Sequence, residues 1–353
     1  VIAILRRPFP SLHTIWADKR SLVATTIAAA IMCISWYAFT WAITHDAVPE
    51  PEDGEVTIKL HYLSIDPAIK GWITDKKSYV EAVKLGDVMR GFGVAEVVAS
   101  RSDYFKVGDF CTGFTGIQTH ATLNSRALRK IDASLAPLSR FMGGLGMPGF
   151  TGYFGLLDIG KPQEGETVVV SSAAGAVGHV VAQIAKLKGC RVVGIAGGPE
   201  KCGYLRDELQ LDAVIDYREG NLQQALSEAA PAGVDVYFDG VGGETLDAVL
   251  MIANRHARIV ACGAVSQYAN LTEPDGLRNY MMVITQSLMI KGFTMLDYMH
   301  RIKEAFVDLL TWEMEGKIVF REHIIEGIER YPEAVEMIFA GKNHGKLMLK
   351  VSE

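Results

Sequence analysis

A glycine-rich string marks the place in this sequence where a phosphate-bearing cofactor would bind. The string AAGAVG at 173–178 follows the apolar segment ETVVVSS at 166–172 and precedes HVVAQIAKLKGC at 179–190, which has the periodicity of an amphipathic helix. A turn between a buried strand and a helix presents unpaired N–H groups and a partial positive charge to a phosphate. This arrangement predicts a dinucleotide site. Its predicted contacts are Ala174, Gly175, Ala176, Val177 and Gly178.

The end of the next predicted strand, at 191–197, indicates which dinucleotide binds. NAD sites usually carry an Asp or Glu at this point, which holds the ribose 2′-hydroxyl. Here the strand ends at Gly197 and no acid ends it, while Lys201 follows within the next few residues. We interpret Lys201 as a cation for a 2′-phosphate; the alternative is an ordinary residue in the first turn of a helix. The predicted cofactor is therefore NADP(H), with Gly197 and Lys201 in contact with it.

Further strands alternate with helical segments along the chain, at 213–217, 234–242, 258–266 and 288–295. This alternation predicts an α/β fold with a doubly wound parallel sheet of the Rossmann type. Ligands of such sheets bind beyond the carboxyl ends of the strands. The residues predicted to line the cofactor site at those ends are Tyr217, Gly240, Val241, Cys262 and Gly263. For each of them alone, a simple turn residue is the alternative interpretation.

Composition excludes several classes of function. The 353 residues carry a net charge of −6 and no long basic run, so nucleic-acid binding has no electrostatic support. The five cysteines are widely spaced and form no CxxC pair, which indicates free thiols rather than a disulfide framework or a thiolate zinc site. No GxSxG motif is present, so a serine hydrolase is not indicated.

The first residues differ from the rest of the chain. No charged residue occurs between Arg20 and His45, and the stretch 21–43 is long enough to span a bilayer as a helix. The positive-inside tendency would then place the rest of the chain outside the cytosol, whereas the predicted chemistry needs cytosolic NADPH. The sequence thus predicts a cytoplasmic protein, membrane-tethered through 21–43 if that stretch is a real anchor. The alternative is an artefact of start-site assignment.

Several blocks of the sequence resemble one known family. The run SAAGAVGHVVAQIAKLKGCRVVGIAGGPEKCGYL is similar to the zinc-independent medium-chain dehydrogenases/reductases, in the branch of prostaglandin, alkenal and curcumin reductases. The resemblance extends from roughly Val48 to the end of the chain. Other matching blocks are YLSIDPAIKGWI at 62–73, GDVMRGFGVAEVV at 86–98, GMPGFTGYFGL at 146–156, GAVSQYAN at 263–270 and ITQSLMIKGF at 284–293.

The resemblance implies a division of the chain into domains. A GroES-like, β-rich catalytic domain would comprise 48–133 and 320–353, and a Rossmann NADP-binding domain would comprise 134–319. The segment 1–47, with its hydrophobic stretch, does not resemble the family's opening strands. The active site is expected in the cleft between the two domains, where ligand sites often lie.

The resemblance also implies zinc-free hydride transfer. Zinc-dependent members use an early Cys and His, but the corresponding stretch here, MRGFGVAEVV at 89–98, contains neither. An α,β-unsaturated ketone or aldehyde can accept a hydride without a Lewis acid, because its conjugated carbonyl takes up the negative charge. Tyr268 is expected to donate a hydrogen bond to the enolate oxygen or to relay a proton. A packing role in a surface loop is the alternative. Tyr62, Tyr153 and Tyr298 are weaker candidates for catalysis.

Other interpretations remain open on the sequence. A quinone reductase on the same fold, or a non-catalytic NADPH-binding or membrane-tethered protein, would fit the same motifs. Gly240 and Ala269 stand where the family often has Asn, so a cofactor contact is expected to be missing. The predicted partners are an enone, alkenal or quinone, with no nucleic acid, and the chain is expected to be a monomer or a homodimer. No metal is predicted.

Overall fold

A computed structural model describes residues 49–74, 80–270 and 276–351 of this chain. The predicted membrane span at 21–43 lies outside these residues. Within the described ranges, no helix combines the length and the apolar character needed to cross a bilayer. All the strands and helices described below belong to one compact unit, Pro51–Glu353.

The first sheet is built from the two ends of this unit. Its strands run in the order β12-β13-β1-β2-β3-β5, and β4 pairs with the first half of β1. The long strand β1 is the centre, since it pairs antiparallel with β2, β4 and β13. The strands are β1 (Glu55–Ser64), β2 (Phe92–Ser100), β3 (Phe110–Phe114), β4 (His120–Asn124), β5 (Leu128–Ile131), β12 (Glu322–Glu326) and β13 (Lys346–Lys350).

The second sheet is the predicted Rossmann sheet. Six parallel strands run in the order β11-β10-β9-β6-β7-β8. The strands β7 and β8 extend the sheet on one side of β6, and β9, β10 and β11 extend it on the other side. The predicted strand segment 258–266 contains the end of β10, and the segment 288–295 contains β11. The strands are β6 (Thr167–Ser171), β7 (Arg191–Ala196), β8 (Ala213–Asp216), β9 (Val234–Asp239), β10 (Ala253–Ala261) and β11 (Met289–Gly292).

Helices connect and cover these strands. The helix α2 continues into a π-helix at Gly155–Gly160, and α4 continues into one at Tyr204–Glu208. Short 3-10 helices occur at Ser125–Ala127, Leu138–Met142, Val265–Asn270, Met295–Arg301 and Ile328–Arg330. The α-helices are α1 (Ile69–Trp72), α2 (Met147–Phe154), α3 (Gly178–Leu187), α4 (Pro199–Gly203), α5 (Leu222–Ala229), α6 (Gly243–Leu250), α7 (Met281–Thr285), α8 (Ile302–Met314) and α9 (Tyr331–Phe339).

Both faces of the second sheet are buried at its inner strands β6, β7 and β9, which explains the continuous apolar runs in these strands. In β6, Val168 and Val170 pack into one core cluster with residues of α3 and α8, such as Ile184 and Leu309. Val169 points to the opposite face and packs into a second cluster that includes residues of α5 and α6. All five residues of β6 are buried. The strand therefore fixes the position of the loop that follows it.

Candidate active site

A single cleft of about 900 Å³ joins the first sheet to the strand ends of the second. Its lining includes every residue that the sequence predicts at the site: Ala174, Gly175, Ala176, Val177, Gly178, Gly197, Lys201, Tyr217, Gly240, Val241, Cys262, Gly263 and Tyr268. The structure thus brings these residues together along one cleft.

The glycine-rich loop leads from β6 directly into α3. Ser172 has a φ of +52°, and the Gly175 N–H donates to its carbonyl oxygen at 2.8 Å, which closes a tight turn. A Cβ at Gly178 would lie 2.3 Å from that same oxygen, so no side chain fits there. Because α3 starts at this point, the positive end of its helix dipole lies at the cleft, which Gly175, Ala176, Val177 and Gly178 line. The loop therefore has the form of an anion-binding helix N-terminus.

His179 holds this loop from inside the protein. Its side chain is buried, and Nδ1 lies 2.7 Å from the carbonyl oxygen of Gly175. A carbonyl oxygen can only accept, so Nδ1 carries a hydrogen and donates it to Gly175. Burial, together with Arg140 and Arg321, lowers the pKa of His179 to about 4, although the Gly175 contact opposes the shift. A neutral imidazole is thus the loop's inner support.

Two cations lie beyond the ends of β7 and β8. Lys201 donates from Nζ to the carbonyl oxygen of Gly341 at 2.9 Å, and burial and then Arg218 lower its pKa. Arg218 lies over the Tyr217 ring, with its guanidinium carbon 5.7 Å from the ring centroid, and also lines the cleft. The sequence analysis missed Arg218, although its position directly after Tyr217 could have indicated it. This end of the cleft suits a phosphate monoester.

Gly197 allows these groups to pack closely. A Cβ at Gly197 would lie 2.6 Å from the Tyr217 ring and 2.9 Å from Nε of Arg218. The Asp216 carboxylate accepts from the backbone N–H groups of Gly198 and Arg218, at 2.9 and 3.0 Å. These contacts hold the ends of β7 and β8 together, so that the basic end of the cleft is a built feature of the fold.

A buried carboxylate organises the far end of the cofactor side. Asp239, at the end of β9, accepts through Oδ1 from the hydroxyl of Tyr237 and from the backbone N–H groups of Val241 and Gly242, at 2.8–2.9 Å. Burial raises the pKa of Asp239. The same burial, with the Asp239 charge, raises the pKa of Cys262 to about 12, so this thiol is not a nucleophile at neutral pH. The sequence analysis did not single out Asp239.

Tyr268 sits on the 3-10 helix Val265–Asn270, which is fastened to the β9 turn. The N–H of Val265 donates to Gly240 at 3.3 Å, and the N–H and hydroxyl of Ser266 donate to the carbonyl of Val241 at 3.1 and 2.7 Å. Tyr268 is half-buried and lines the cleft.

The weaker tyrosine candidates lie elsewhere. Tyr153 is buried, and its hydroxyl donates to Asp308 at 2.6 Å. Tyr298 stacks on Phe154, with ring centroids 4.7 Å apart. Tyr62 is part of β1 and packs against a core cluster. All three are outside the lining of the cleft. Of the tyrosines considered for catalysis, Tyr268 is thus the one in the lining of the cleft.

The wall opposite the cofactor side is largely apolar. Trp72 and Phe92 each meet Phe114 edge to face, with centroids 6.2 and 5.5 Å apart. Met142 and Met147 extend this wall toward α2. Because the aromatic faces are held by one another, this compartment suits a flat, apolar molecule.

The space at Gly240 is open. A Cβ there would come no closer than 3.9 Å to Ser171 and Ser172. A Cβ atom therefore fits at this position, which the resemblance gives as a frequent Asn. The glycine here is not required by packing, unlike Gly178. Ala269 belongs to the part of the helix whose side chains the structure does not describe.

Known proteins resemble this chain in sequence and in fold. A family model described as the N-terminal domain of oxidoreductases matches residues 38–131, and one described as zinc-binding dehydrogenase matches 176–312. The chain is 42% identical over 316 residues to an NADPH-dependent curcumin reductase of Escherichia coli, covering 88% of this chain and 91% of the relative. The chain belongs to the medium-chain dehydrogenase/reductase superfamily, in its zinc-independent branch.

A further relative and a solved structure are also similar to this chain. An NADP(+)-dependent 2-alkenal reductase of Nicotiana tabacum is 39% identical over 308 residues, covering 86% of this chain and 91% of the relative. The crystal structure of CurA from Vibrio vulnificus in complex with NADPH superposes with a TM-score of 0.84 at 40% identity, covering 88% and 94% of the two chains. The family match begins at residue 38, ten residues before the point that the sequence analysis gave, and so includes the end of the stretch 21–43.

In the parts of the chain that the structure describes, no three His, Cys, Asp or Glu side chains come together in a way that could hold a metal ion.

The neutral state of His179 has a measurable consequence. Its folded pKa of about 4 lies below the unfolded value of 6.5, so its contribution to stability is present above pH 6.5 and is lost as the pH falls toward 4. We expect the free energy of unfolding to fall by about 3 kcal/mol more in the native chain than in His179→Gln over this range. Urea denaturation at several pH values measures the difference.

The exposed His300 supplies a control for this experiment. His300→Gln should keep the pH dependence of the native chain. An NMR titration should also show one imidazole with a pKa near 4 that is absent from His179→Gln. If every imidazole of the native chain titrated near 6.5, the proposed inner support of the loop would be wrong.

Proposed function

We propose that this chain reduces the carbon–carbon double bond of α,β-unsaturated ketones and aldehydes with NADPH. The chain is an NADP(H)-dependent oxidoreductase, as are its named relatives, which include reductases of curcumin and of 2-alkenals. These relatives make the non-catalytic interpretation untenable. The observation that carries the proposal is the continuity of one cleft, from the basic end at Lys201 to the aromatic wall at Trp72, with Tyr268 in its lining.

The residues present fit the dinucleotide. The α3 N-terminus and the loop before it would hold the pyrophosphate, because they line the cleft at the positive end of the helix dipole and Gly178 carries no Cβ. Lys201 and Arg218 would bind the 2′-phosphate, and Gly240, Val241 and Gly263 would border the nicotinamide half. Their roles are part of the proposal. When bound, NADPH supplies a hydride to the β-carbon of the substrate.

The protein's part in the reaction is to place the alkene and to stabilise charge. Addition of hydride moves an electron pair onto the carbonyl oxygen, and the resulting enolate takes up a proton at the α-carbon. Tyr268 would donate its hydroxyl hydrogen bond to that oxygen as the charge develops, a contribution of about 3–4 kcal/mol for one well-placed donor. The apolar wall would exclude water and orient the flat conjugated system.

Quinone reduction on the same site remains an alternative prediction. A flat quinone would fit the aromatic wall as well as an enone does. A panel of enones, alkenals and quinones, each supplied with NADPH and followed by the loss of NADPH absorbance, distinguishes the two. Turnover of quinones alone would favour the alternative.

The basic end of the cleft should determine the choice of cofactor. Lys201→Ala and Arg218→Ala should each raise the KM for NADPH by roughly tenfold, the size of one charge-assisted hydrogen bond, and leave the KM for NADH unchanged. Arg206→Ala is the control, since Arg206 is exposed on the same helical segment and outside the cleft. Equal effects on both cofactors would contradict a 2′-phosphate role.

Tyr268 should affect the chemical step rather than cofactor binding. Tyr268→Phe should lower kcat for an aryl enone by roughly a hundredfold, because one donor to the developing enolate is lost, and leave the Kd for NADPH within about threefold. Tyr280→Phe, at an exposed tyrosine outside the cleft, serves as the control. An unchanged kcat in Tyr268→Phe would assign Tyr268 a packing role.

A further inference from the structure

A buried cation lies behind the wall of the cleft. Lys346, at the start of β13, has only 1% of its surface exposed. An ammonium group is rarely buried to this extent unless it is paired and hydrogen-bonded. Its Nζ donates to Oδ1 of Asp66 at 2.8 Å and to the carbonyl oxygen of Ile65 at 3.0 Å. Both acceptors belong to the segment that follows β1, so this one side chain ties two parts of the chain together.

Asp66 lines the cleft and is hydrogen-bonded through both of its carboxylate oxygens. Its second oxygen, Oδ2, accepts from the hydroxyl of Ser64 at 2.5 Å, and its side chain remains 27% exposed. Ser64, Ile65 and Asp66 all line the cleft. The carbonyl oxygen of Asp66 also accepts from the N–H of Ile69 at 3.1 Å, which places Asp66 at the start of a turn. That backbone role leaves the pairing of its carboxylate unexplained.

The pair lies next to the glycine-rich loop. The N–H of Gly345, the residue before Lys346, donates to the carbonyl oxygen of Ala174 at 3.1 Å. Gly345 and Leu347, on either side of Lys346, line the cleft together with Ala174 and Gly175. An unpaired carboxylate on this wall would repel a ligand with several negative charges. The ammonium of Lys346 cancels that charge from the buried side.

We propose that Lys346 is a positioning residue for NADP(H). It neutralises Asp66 and fixes the Ser64–Asp66 segment, so that the wall facing the pyrophosphate loop bears no net negative charge. Asp66 is thereby a structural element of the wall and not a ligand of the cofactor. The inference rests on the use of NADP(H) by this chain, and it does not depend on which alkene is reduced.

The test is a binding experiment with the full chain. The Kd for NADPH is measured by fluorescence titration without substrate, and the melting temperature is recorded for each variant. Lys346→Met should weaken NADPH binding by about tenfold or more, because Asp66 is then an uncompensated charge in the cleft. The double variant Lys346→Met/Asp66→Asn should restore the Kd to within about threefold of the native value, since the charge is gone. Asp66→Asn alone should not weaken binding.

A matched control exists on the same strand. Lys350 forms an ion pair with Glu326 at 3.5 Å at the other end of β13 and is partly exposed. Lys350→Met should leave the Kd for NADPH unchanged. If Lys346→Met does not fold, the double variant is measured instead, since it buries no unpaired charge. It should bind NADPH with a Kd within about threefold of the native value.

Two outcomes would overturn the proposal. A double variant that binds NADPH as weakly as Lys346→Met would show that only the lysine's packing matters. A loss of about tenfold or more in Asp66→Asn would show that the carboxylate itself binds the cofactor. Because the titration contains no alkene, its result stays separate from any failure to turn over enones.

Discussion

The site depends on the close contact between the glycine-rich loop and the end of β6 at Gly178. A Cβ at this residue would lie 2.3 Å from the carbonyl oxygen of Ser172, so the contact exists only because the side chain is absent. It allows α3 to start directly beyond the buried strand, with its N-terminus at the cleft. His179 supports the loop from the core, and Gly345 binds it from the other sheet. The two sheets therefore meet at this loop.

The distribution of charge along the cleft follows from that arrangement. Two cations, Lys201 and Arg218, lie at one end, and aromatic side chains form the other. Close to the cleft, three ionisable sites are uncharged, hydrogen-bonded or paired. His179 is kept neutral by burial, and Asp239 is surrounded by hydrogen-bond donors. Lys346 compensates the carboxylate of Asp66. A ligand with phosphates at one end and a flat, neutral reacting group at the other matches this gradient.

Local signals in the sequence predicted much of this site. The loop at 173–178 and the turns after β7 to β10 were predicted because glycine spacing and buried apolar runs are local properties, and parallel strands must end at one edge. Lys346 and Asp66 were not paired, since they are 280 residues apart and their contact depends on the first sheet. Asp239 was missed because its function lies in tertiary hydrogen bonds. The domain boundaries and the residue roles stay predictions.

The transfer of hydride to the β-carbon of an enone is the claim most directly open to measurement. The full chain is incubated with an aryl enone and NADPH that carries deuterium at the transferable C4 position, and the product is examined by NMR and mass spectrometry. We expect a saturated ketone with one deuterium on the carbon β to the carbonyl. Deuterium on the carbinol carbon of an allylic alcohol, or a product without the label, would contradict it.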